Sequence, residues 1–584
     1  LSNPEDSFER ARQAAQRPWA AEIARIEMLN KSQQLEFHTG NPAWDTALAL
    51  AQRTAFSLLF QCNQSSQMSF VLSRQPDQGF SFRGDGSDYG YPWSGQTALD
   101  TYYLNSLLLP GGAELAKGLL LHLLENQDKT GFIDLKPGLA GQRCHCLAQP
   151  LLATIALQID SHLTDSAWLA EIYPRLLRFF EIWFQPNHDR DQDGFPEWEH
   201  PLQTGLQDGT IYDRWHPASQ GVAIGCLESP ALGALLYREC HSLMQIGQRL
   251  HNEENLPALQ EKAHTLKQAV ESTWDAKTAS YHYRDAQSHQ SSHGASLLQF
   301  AGSGKRACNR HFRRPQRLQI ILSAHDSHTR PVTMTIVGQG EAGELREHIT
   351  PNRFSWYHGQ ACYTTQALFQ SVAHVEVQGF GKADQGSLKR IDYTQEDIGL
   401  LLPLWAQIPS PKRAQILIEK TLRPRYLGLN GLAAFPFSPE PAETAGPNPV
   451  HMLWNHLLGE ALLAYGYHAL AADLFTRLMN AILPALQQEG AFRETYPSGH
   501  GRRGGAHNSL YGLPPLGLLL PLLGIHRLGP RGFFLQGIIP FTGTSTVKYQ
   551  GIAITRQAQD SGVRLSTGET IQLSTPGSHR IRIR

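Results

Sequence analysis

The sequence predicts a mainly α protein. It reads as a closed double ring of helices, an α/α toroid, with a β insertion and a small C-terminal β module. Three observations lead there. Apolar stripes at helical spacing recur along most of the chain, with turn residues between them. No repeat of fixed period links the stripes, as a helical solenoid would require, so the closed ring is the arrangement left. Two stretches, at 300–390 and from about 530, alternate with a period of two instead.

Taken in order, residues 1–40 read as an N-terminal helical segment and 41–299 as the first part of the helical array. Asn41-Pro42 is a helix start, a side chain able to cap free N–H groups followed by proline at the first helical position. Trp44, Ala47, Leu48, Ala51, Ala55, Leu58 and Leu59 then fall on one face. Leu115, Leu119 and Leu123 make a second stripe, and Tyr173, Leu176, Leu177, Phe180 and Phe184 a third. Similar stripes follow near 230–250, 257–272, 411–422, 451–466 and 469–486. In the insertion at 300–390, Leu318/Ile320/Leu322, Val332/Met334/Ile336 and Val375/Val377 alternate like strands. The helical array resumes over 391–529. The module at 530–584 holds five short alternating runs, punctuated by Gly551, Gly562, Gly568 and Gly577.

Composition narrows the function. The 584 residues are 41% apolar and 18% charged, which suits a packed core and excludes a disordered chain. Lys plus Arg is 51 and Asp plus Glu 52, a net charge of −1, so no basic footprint marks a nucleic-acid or membrane-surface partner. The most apolar stretch, Leu513–Ile525, is 13 residues long and broken by Pro514, Pro515 and Pro521, too short to span a bilayer. Glu5, Asp6 and Glu9 stand where a secretory leader would be basic and then apolar. Seven cysteines without zinc-finger spacing read as reduced thiols, with Cys144 and Cys146 too close for an ordinary disulfide. A cytoplasmic location is the resulting expectation. Arg310, Arg313, Arg314 and Arg317 form a small basic run expected to be a solvated loop. No HExxH or GxSxG stands in the chain.

The loops carry the chemistry. Tyr89–Gln96, Asp189–Trp215, Asn448–Asn455 and Phe492–His507 concentrate Trp, His, amides and acids. Aromatic rings stack on the apolar face of a pyranose while amides and carboxylates bind its hydroxyls, so these loops suit a sugar. Two stretches are more specific: Asp193-Gly194-Phe195-Pro196-Glu197-Trp198-Glu199-His200 leading to Gln203-Thr204-Gly205-Leu206-Gln207-Asp208-Gly209, and Phe492-Arg493-Glu494-Thr495-Tyr496-Pro497-Ser498-Gly499.

These two stretches resemble the catalytic loops of the (α/α)6-barrel glycoside hydrolases of family 63 and its clan, whose members include α-glucosidases, mannosylglycerate hydrolase and trehalases. The likeness spans about 40–525 and is thin between the motifs. It implies an inverting, exo-acting α-glycoside hydrolase, α-glucosidase-like, acting on a short α-linked glycoside or oligosaccharide. In that family the acid is an Asp in a Ser-Gly-x-Asp-Asn-Ser-Pro-Arg-like loop and the base a Glu in a Glu-x-Tyr-x-x-x-Gly-like loop. Glu494, Tyr496 and Gly499, Gly501, Gly504 and Gly505 match the second. The first departs: the Asp position falls on Gln207 and Asp208 comes one residue late. The resemblance therefore implies Glu494 as base and Asp208 as acid, with Glu197, Glu199 and Asp213 as the other carboxyls for that role. It implies sugar contacts from Trp93, Gln96, Gln149, Trp198, Glu199, His200, Trp215, Trp454, Asn455, Tyr496 and His507.

Inversion needs one protonated and one ionised carboxyl, roughly 6.5–9.5 Å apart, with room for a water, and environments that push their pKa values apart. No cofactor is required. Asp189, Asp191, Asp193 and Gly194 match the first half of a calcium loop, although its twelfth position is His200 rather than Glu. A structural calcium is one reading of that loop, and a metal-free turn built on Asp side chains the other. A homo-oligomer stays open. Two further functions compete: an epimerase or lyase on the same toroid, using His145, His216, His451 or His507, and a non-catalytic sugar-binding protein, suggested by Gln207.

Overall fold

The computed structural model of the protein describes residues 4–16, 18–21, 23–24, 27, 33–61, 70–72, 95–138, 145–163, 166–206, 209–212, 219–437, 448–499, 504–558, 560–574 and 577–583. Two compact units emerge: Leu1–Ile182 with Arg238–Glu261 and Leu404–Arg584, and Trp183–Tyr237 with Lys262–Pro403. They differ from the succession of domains expected from the sequence, because the chain leaves and re-enters each unit.

The first unit packs helices Pro42–Ser57, Ala98–Leu108, Ala113–Glu125, Leu152–Asp160, Ala167–Ile182, Met452–Ala464, His468–Glu489 and Leu516–Leu522. Asn41 caps the first of these, its side chain accepting from Ala43 N at 3.0 Å and Trp44 N at 3.3 Å. Its expected stripe is buried at Trp44, Ala47, Leu48, Ala51 and Ala55. The Ala113–Glu125 helix turns Ala116, Leu119, Leu120, Leu123 and Leu124 inward and leaves Leu115 half-buried. All eleven residues of Ala98–Leu108 are buried, so this helix runs through the core. The His468–Glu489 helix is long and apolar enough by composition to span a membrane, and half of that apolar window is buried. Its Leu474, Phe475, Leu478 and Ile482 face is core.

The C-terminal alternating runs form strands Ser545–Tyr549, Ile552–Arg556, Asp560–Arg564 and Thr570–Ser574 of one antiparallel sheet. The first strand of that sheet is Glu36–His38, from the segment expected to be helical. Gln52 fixes the approach, bonding Leu35 N at 2.8 Å and Leu35 O at 2.9 Å through its buried amide. Ser578–Arg582 joins a second sheet with Ile525–Gly529 and Gly532–Gln536, so strand structure begins before residue 530.

In the second unit the alternating stretch is a two-sheet β structure beginning at Ala295. One sheet orders Ser355–Tyr357, Gln360–Thr364, Leu318–Ser323, Gln385–Arg390 and Ala295–Ala301. The other orders Gly343–Ile349, Thr333–Gly340, Phe369–Gln378 and Gly304–Gln316. Leu318, Ile320, Leu322, Val332, Met334, Ile336, Val375 and Val377 share one core, as side chains on alternate positions of a pleat must. The basic run is not a loop. Arg310, Arg313 and Arg314 sit exposed on the edge strand Gly304–Gln316, where charge blunts an unpaired edge. Arg317 is buried, with Nε 2.5 Å from Asp285 Oδ2.

Cys226 and Cys308 are free thiols among the described residues.

One buried carboxyl organises the first unit. No side chain of its own sequence caps the Leu152–Asp160 helix. Glu239, from the Pro230–Arg249 helix, takes that place: Oε1 accepts from Ala153 N at 2.6 Å, and Oε2 from Thr154 N at 3.0 Å and Thr154 Oγ1 at 2.9 Å. A negative group suits a helix N-terminus, where N–H groups lack partners. Complete burial outweighs these bonds and pushes Glu239 up to about 7. A carboxyl whose folded pKa is raised stabilises most when protonated in both states. Its contribution is therefore full below 4.5 and is lost as pH rises through about 7. Glu239→Gln should flatten that decline in a denaturation series across this range. Glu239→Ala, which leaves two buried N–H groups unbonded, should cost about 3 kcal/mol by urea unfolding.

Candidate active site

The loop carrying the expected acid is a tightly bonded segment of the second unit. Gly194 turns it at φ +84°, with Gly194 N donating to Asp189 Oδ2 at 3.1 Å and Phe195 N to Asp193 Oδ1 at 2.8 Å. The chain then runs back beneath the turn, where Glu197 N donates to His188 O at 2.7 Å. Trp198 is buried edge-on against Trp183, ring centres 5.6 Å apart. Glu199 Oε1 lies 3.1 Å from His188 Nδ1.

The Gln203-Thr204-Gly205 motif closes this segment for a local reason. His200 caps the short turn Pro201–Thr204, its Nδ1 accepting from Leu202 N at 3.2 Å. Gln203 Oε1 accepts from Glu199 N at 2.7 Å and His200 N at 2.8 Å. Gly205 ends the turn in the left-handed region at φ +69°, the conformation glycine adopts without strain. A Cβ on Gly209 would stand 2.5 Å from the Tyr212 ring, so the far side of the motif is also close-packed. Gln207 and Asp208 lie between these anchors and outside the described residues, as do Trp93, Asp213, Trp215 and His216.

Glu197 is the electrostatic oddity here. It is 1% exposed, its Oε1 has no hydrogen-bond partner among the described residues, and Oε2 accepts from Arg190 N at 3.3 Å. Burial, with Asp191 and Asp189 adding their charge, raises it to about 8. Glu197 thus holds a proton at neutral pH, as a general acid must. It is closed off from solvent, however, and a proton donor has to touch the leaving oxygen. The structure makes Glu197 a support beneath the loop rather than the alternative acid the sequence allowed.

The acidic turn does not form the calcium site its spacing suggests. The carboxylates brought together are Asp191, Asp193 and Glu228, with His289, and Asp189 is not of the group. The Arg284 guanidinium contacts Glu228 and stands 3.9 Å from Asp193, and His289 Nδ1 is 2.7 Å from Glu228 Oε1. The group is thus built from Asp191, Asp193, Glu228 and His289 rather than from the Asp189–Asp191–Asp193 spacing of a calcium loop.

The expected base lies in the first unit on strand Arg493–Pro497, between Pro449–Val450 and Gly504–His507. Glu494 Oε2 accepts from Ala506 N at 2.9 Å. Gly505, at φ +76°, lets the side chain pass: a Cβ there would lie 2.3 Å from Glu494 Oε2. Tyr496 is buried behind the strand, its hydroxyl donating to Gly512 O at 3.1 Å and accepting from Arg493 N at 3.2 Å. Gly512 itself packs on the backbone of Arg493, where a Cβ would be 1.7 Å from the carbonyl oxygen.

The residues expected to contact sugar divide. Asn455 is fully buried and its amide is spent on backbone: it accepts from Leu432 N at 2.7 Å and donates to Leu432 O at 3.0 Å and His451 O at 2.9 Å. It is a structural staple, not a sugar contact. Gln96, Gln149 and Trp454 are also buried, with Gln149 Oε1 accepting from Ala98 N at 3.2 Å. His507 is half-exposed. His451, a candidate for epimerase or lyase chemistry, is pushed down to about 4 by burial and stays neutral. Asp100 and Tyr511, described below, escaped the sequence reading. The Thr97-x-x-Asp100 capping pattern was the local signal for the first, and nothing local marked the second.

Comparison with known proteins fits these features. Residues 107–302 match the family model of the mannosylglycerate hydrolase MGH1-like glycoside hydrolase domain. The matched segment holds the Asp189–Gly209 loop and ends before the Glu494 strand. No curated protein sequence matches the chain. Among solved structures, the chain is similar to the family 63 mannosylglycerate hydrolase from Thermus thermophilus in complex with Tris, with TM-score 0.50 and 15% identity, covering 80% of this chain and 99% of that one. It is also similar to a sialidase structure, with TM-score 0.54 and 9% identity, covering 94% of this chain and 41% of that one. The family 63 likeness gives the fold as the (α/α)6 type. Over residues 107–302 the chain resembles a glycoside hydrolase domain, and its fold resembles that of family 63.

If Glu197 is a buried neutral support, its stabilising contribution is full below 4.5 and is lost as pH rises through about 8. Melting temperature followed over that range should fall less in Glu197→Gln than in the unsubstituted protein, with the two differing least near pH 4.5 and below. A fall of equal size in both would show that Glu197 ionises freely.

Proposed function

We propose that the chain hydrolyses a small α-linked glycoside from its non-reducing end with inversion, Glu494 serving as general base and Asp208 as general acid. The observation that supports this most is the setting of Glu494. One carboxylate oxygen is fixed by the Ala506 N–H, on a strand locked by Tyr496 and Gly512. The other oxygen has no hydrogen-bond partner among the described residues. A base that must take a proton from water needs this arrangement, an oriented carboxylate with one lone-pair edge left open.

In the proposed reaction a water oxygen bonds to the anomeric carbon and gives its proton to Glu494. The glycosidic C–O bond breaks as the leaving oxygen takes a proton from Asp208. The name of the matching family supports an α-mannoside of a small hydroxy acid, such as mannosylglycerate, beside the α-glucosides that the sequence motifs suggest. The buried, neutral His451 gives no support to an epimerase or lyase reading.

Purified protein incubated with mannosylglycerate, glucosylglycerate and α-linked disaccharides, followed by NMR, should release the β-anomer first. Retention of the α-anomer would contradict inversion. Glu494→Gln should abolish turnover with the fold intact. Asp208→Asn should be slower by roughly 10²–10⁴. Sugar binding without turnover across the panel would instead favour the non-catalytic reading raised by Gln207.

A further inference from the structure

Tyr511 lies where no sequence motif points. The Leu510–Gly512 turn rests on the strand that carries Glu494: a Cβ on Gly512 would lie 1.7 Å from Arg493 O and 3.2 Å from Glu494 N. The Tyr496 hydroxyl fastens the same turn through Gly512 O. From this turn, the Tyr511 hydroxyl donates to Asp100 Oδ1 at 2.6 Å. Asp100 is 3% exposed, and its Oδ2 accepts from Thr97 N at 2.8 Å. It is the third residue of the Ala98–Leu108 helix, which runs through the core of the unit.

We infer that Tyr511 and Asp100 are positioning residues for Glu494: their hydrogen bond ties the turn packed on the strand of the base to the start of the Ala98–Leu108 helix. The inference rests on the reading of Glu494 as the general base.

A phenol has one proton to donate, and Tyr511 gives it to Asp100. Toward Glu494 it can offer only lone pairs. It therefore cannot stabilise the ionised form of Glu494 by donation, which would weaken the base. Burial, Asp100 and the charge of Glu494 all raise the Tyr511 phenol well above its ordinary range, so it stays protonated.

Among the described residues, Arg493 Nε is 2.8 Å from Glu489 Oε2 and its Nη1 donates to Gly505 O at 3.3 Å. Glu489 also stands 4.0 Å from His507 Nε2. The phenols of Tyr103 and Tyr496 are buried and bonded to the backbone oxygens of Leu513 and Gly512.

The experiment compares kcat, KM and the pH profile of kcat in the full chain, Glu494→Gln, Tyr511→Phe and Asp100→Asn, on an α-glycoside from the panel above. Asparagine at 100 still offers an oxygen to Thr97 N, so the helix cap survives. Tyr511→Phe should lower kcat about tenfold or more with KM within about twofold. Asp100→Asn, which keeps the cap but gives the Tyr511 phenol a neutral partner, should lower kcat in the same direction, again with KM within about twofold. Tyr511→Phe and Asp100→Asn both within about twofold of the unsubstituted enzyme in kcat, with an inactive Glu494→Gln, would together overturn this inference and leave the base in place. Loss of the fold in both Tyr511→Phe and Asp100→Asn would show a purely structural tie, and would also overturn it. An unsubstituted protein silent on the whole panel, or an active Glu494→Gln, would overturn the reading of Glu494 and the inference with it.

Discussion

A carboxyl group taken out of water must be hydrogen-bonded, paired with a cation or neutralised by a proton. The irregular parts of this chain are built on that constraint. Glu239 answers it by capping a helix from another part of the sequence. Asp397 answers it by starting the Ile398–Leu401 turn through Gly399 N at 2.8 Å while accepting from Tyr283 at 2.7 Å. Asp285 gathers Gln287 N, Ser288 N, Tyr393 and Arg317 around its two oxygens. Each is a fixed point from which a loop or helix end departs. A side chain with two acceptor oxygens can hold two segments at once, which no apolar contact does directionally.

The same constraint sorts the carboxyls by chemistry. Glu197 lacks enough donors to stay ionised in its buried place, so burial leaves it protonated. Glu494 is only half-buried and has the Ala506 N–H as donor. A general acid and a general base must differ in this way. The outcome is set less by residue type than by how many N–H groups the fold directs at each oxygen. The acidic turn at 189–193 shows this as well. Its spacing suggests a calcium loop, yet the Arg284 guanidinium and the His289 ring arrive from elsewhere in the chain to meet its carboxylates and Glu228.

Glycine carries the geometry that makes these arrangements possible. At Gly505 and Gly512 the backbone comes so close to the Glu494 strand that any side chain would collide with it. Gly205 ends the capped turn ahead of Asp208 in a left-handed conformation. The loop that carries Glu494 is thus held by contacts that forbid a Cβ, and the turn ahead of Asp208 by a conformation that favours glycine. A glycine run and an acid side by side in sequence can therefore signal a rigid, close-packed site.

What the sequence alone determined is local. The Asn41-Pro42 start, the amphipathic stripes of the Pro42–Ser57 and His468–Glu489 helices, the strands at 318–323 and 333–340 and the turn at Gly194 follow from hydrogen bonds and periodicities within a few residues. So does the likeness of the Glu494 strand to a catalytic loop. Tertiary structure decided the rest, because its partners lie too far apart in the chain for any local pattern to register. Tyr511 meets Asp100 across 411 positions. Lys548 meets Glu36 across 512, where the first strand of the C-terminal sheet comes from near the other end of the chain. Asn455, with the look of a sugar-binding amide, was claimed by the backbone of Leu432. Only the folded chain fixes which donors surround a side chain, and those donors decide whether it caps, supports or reacts.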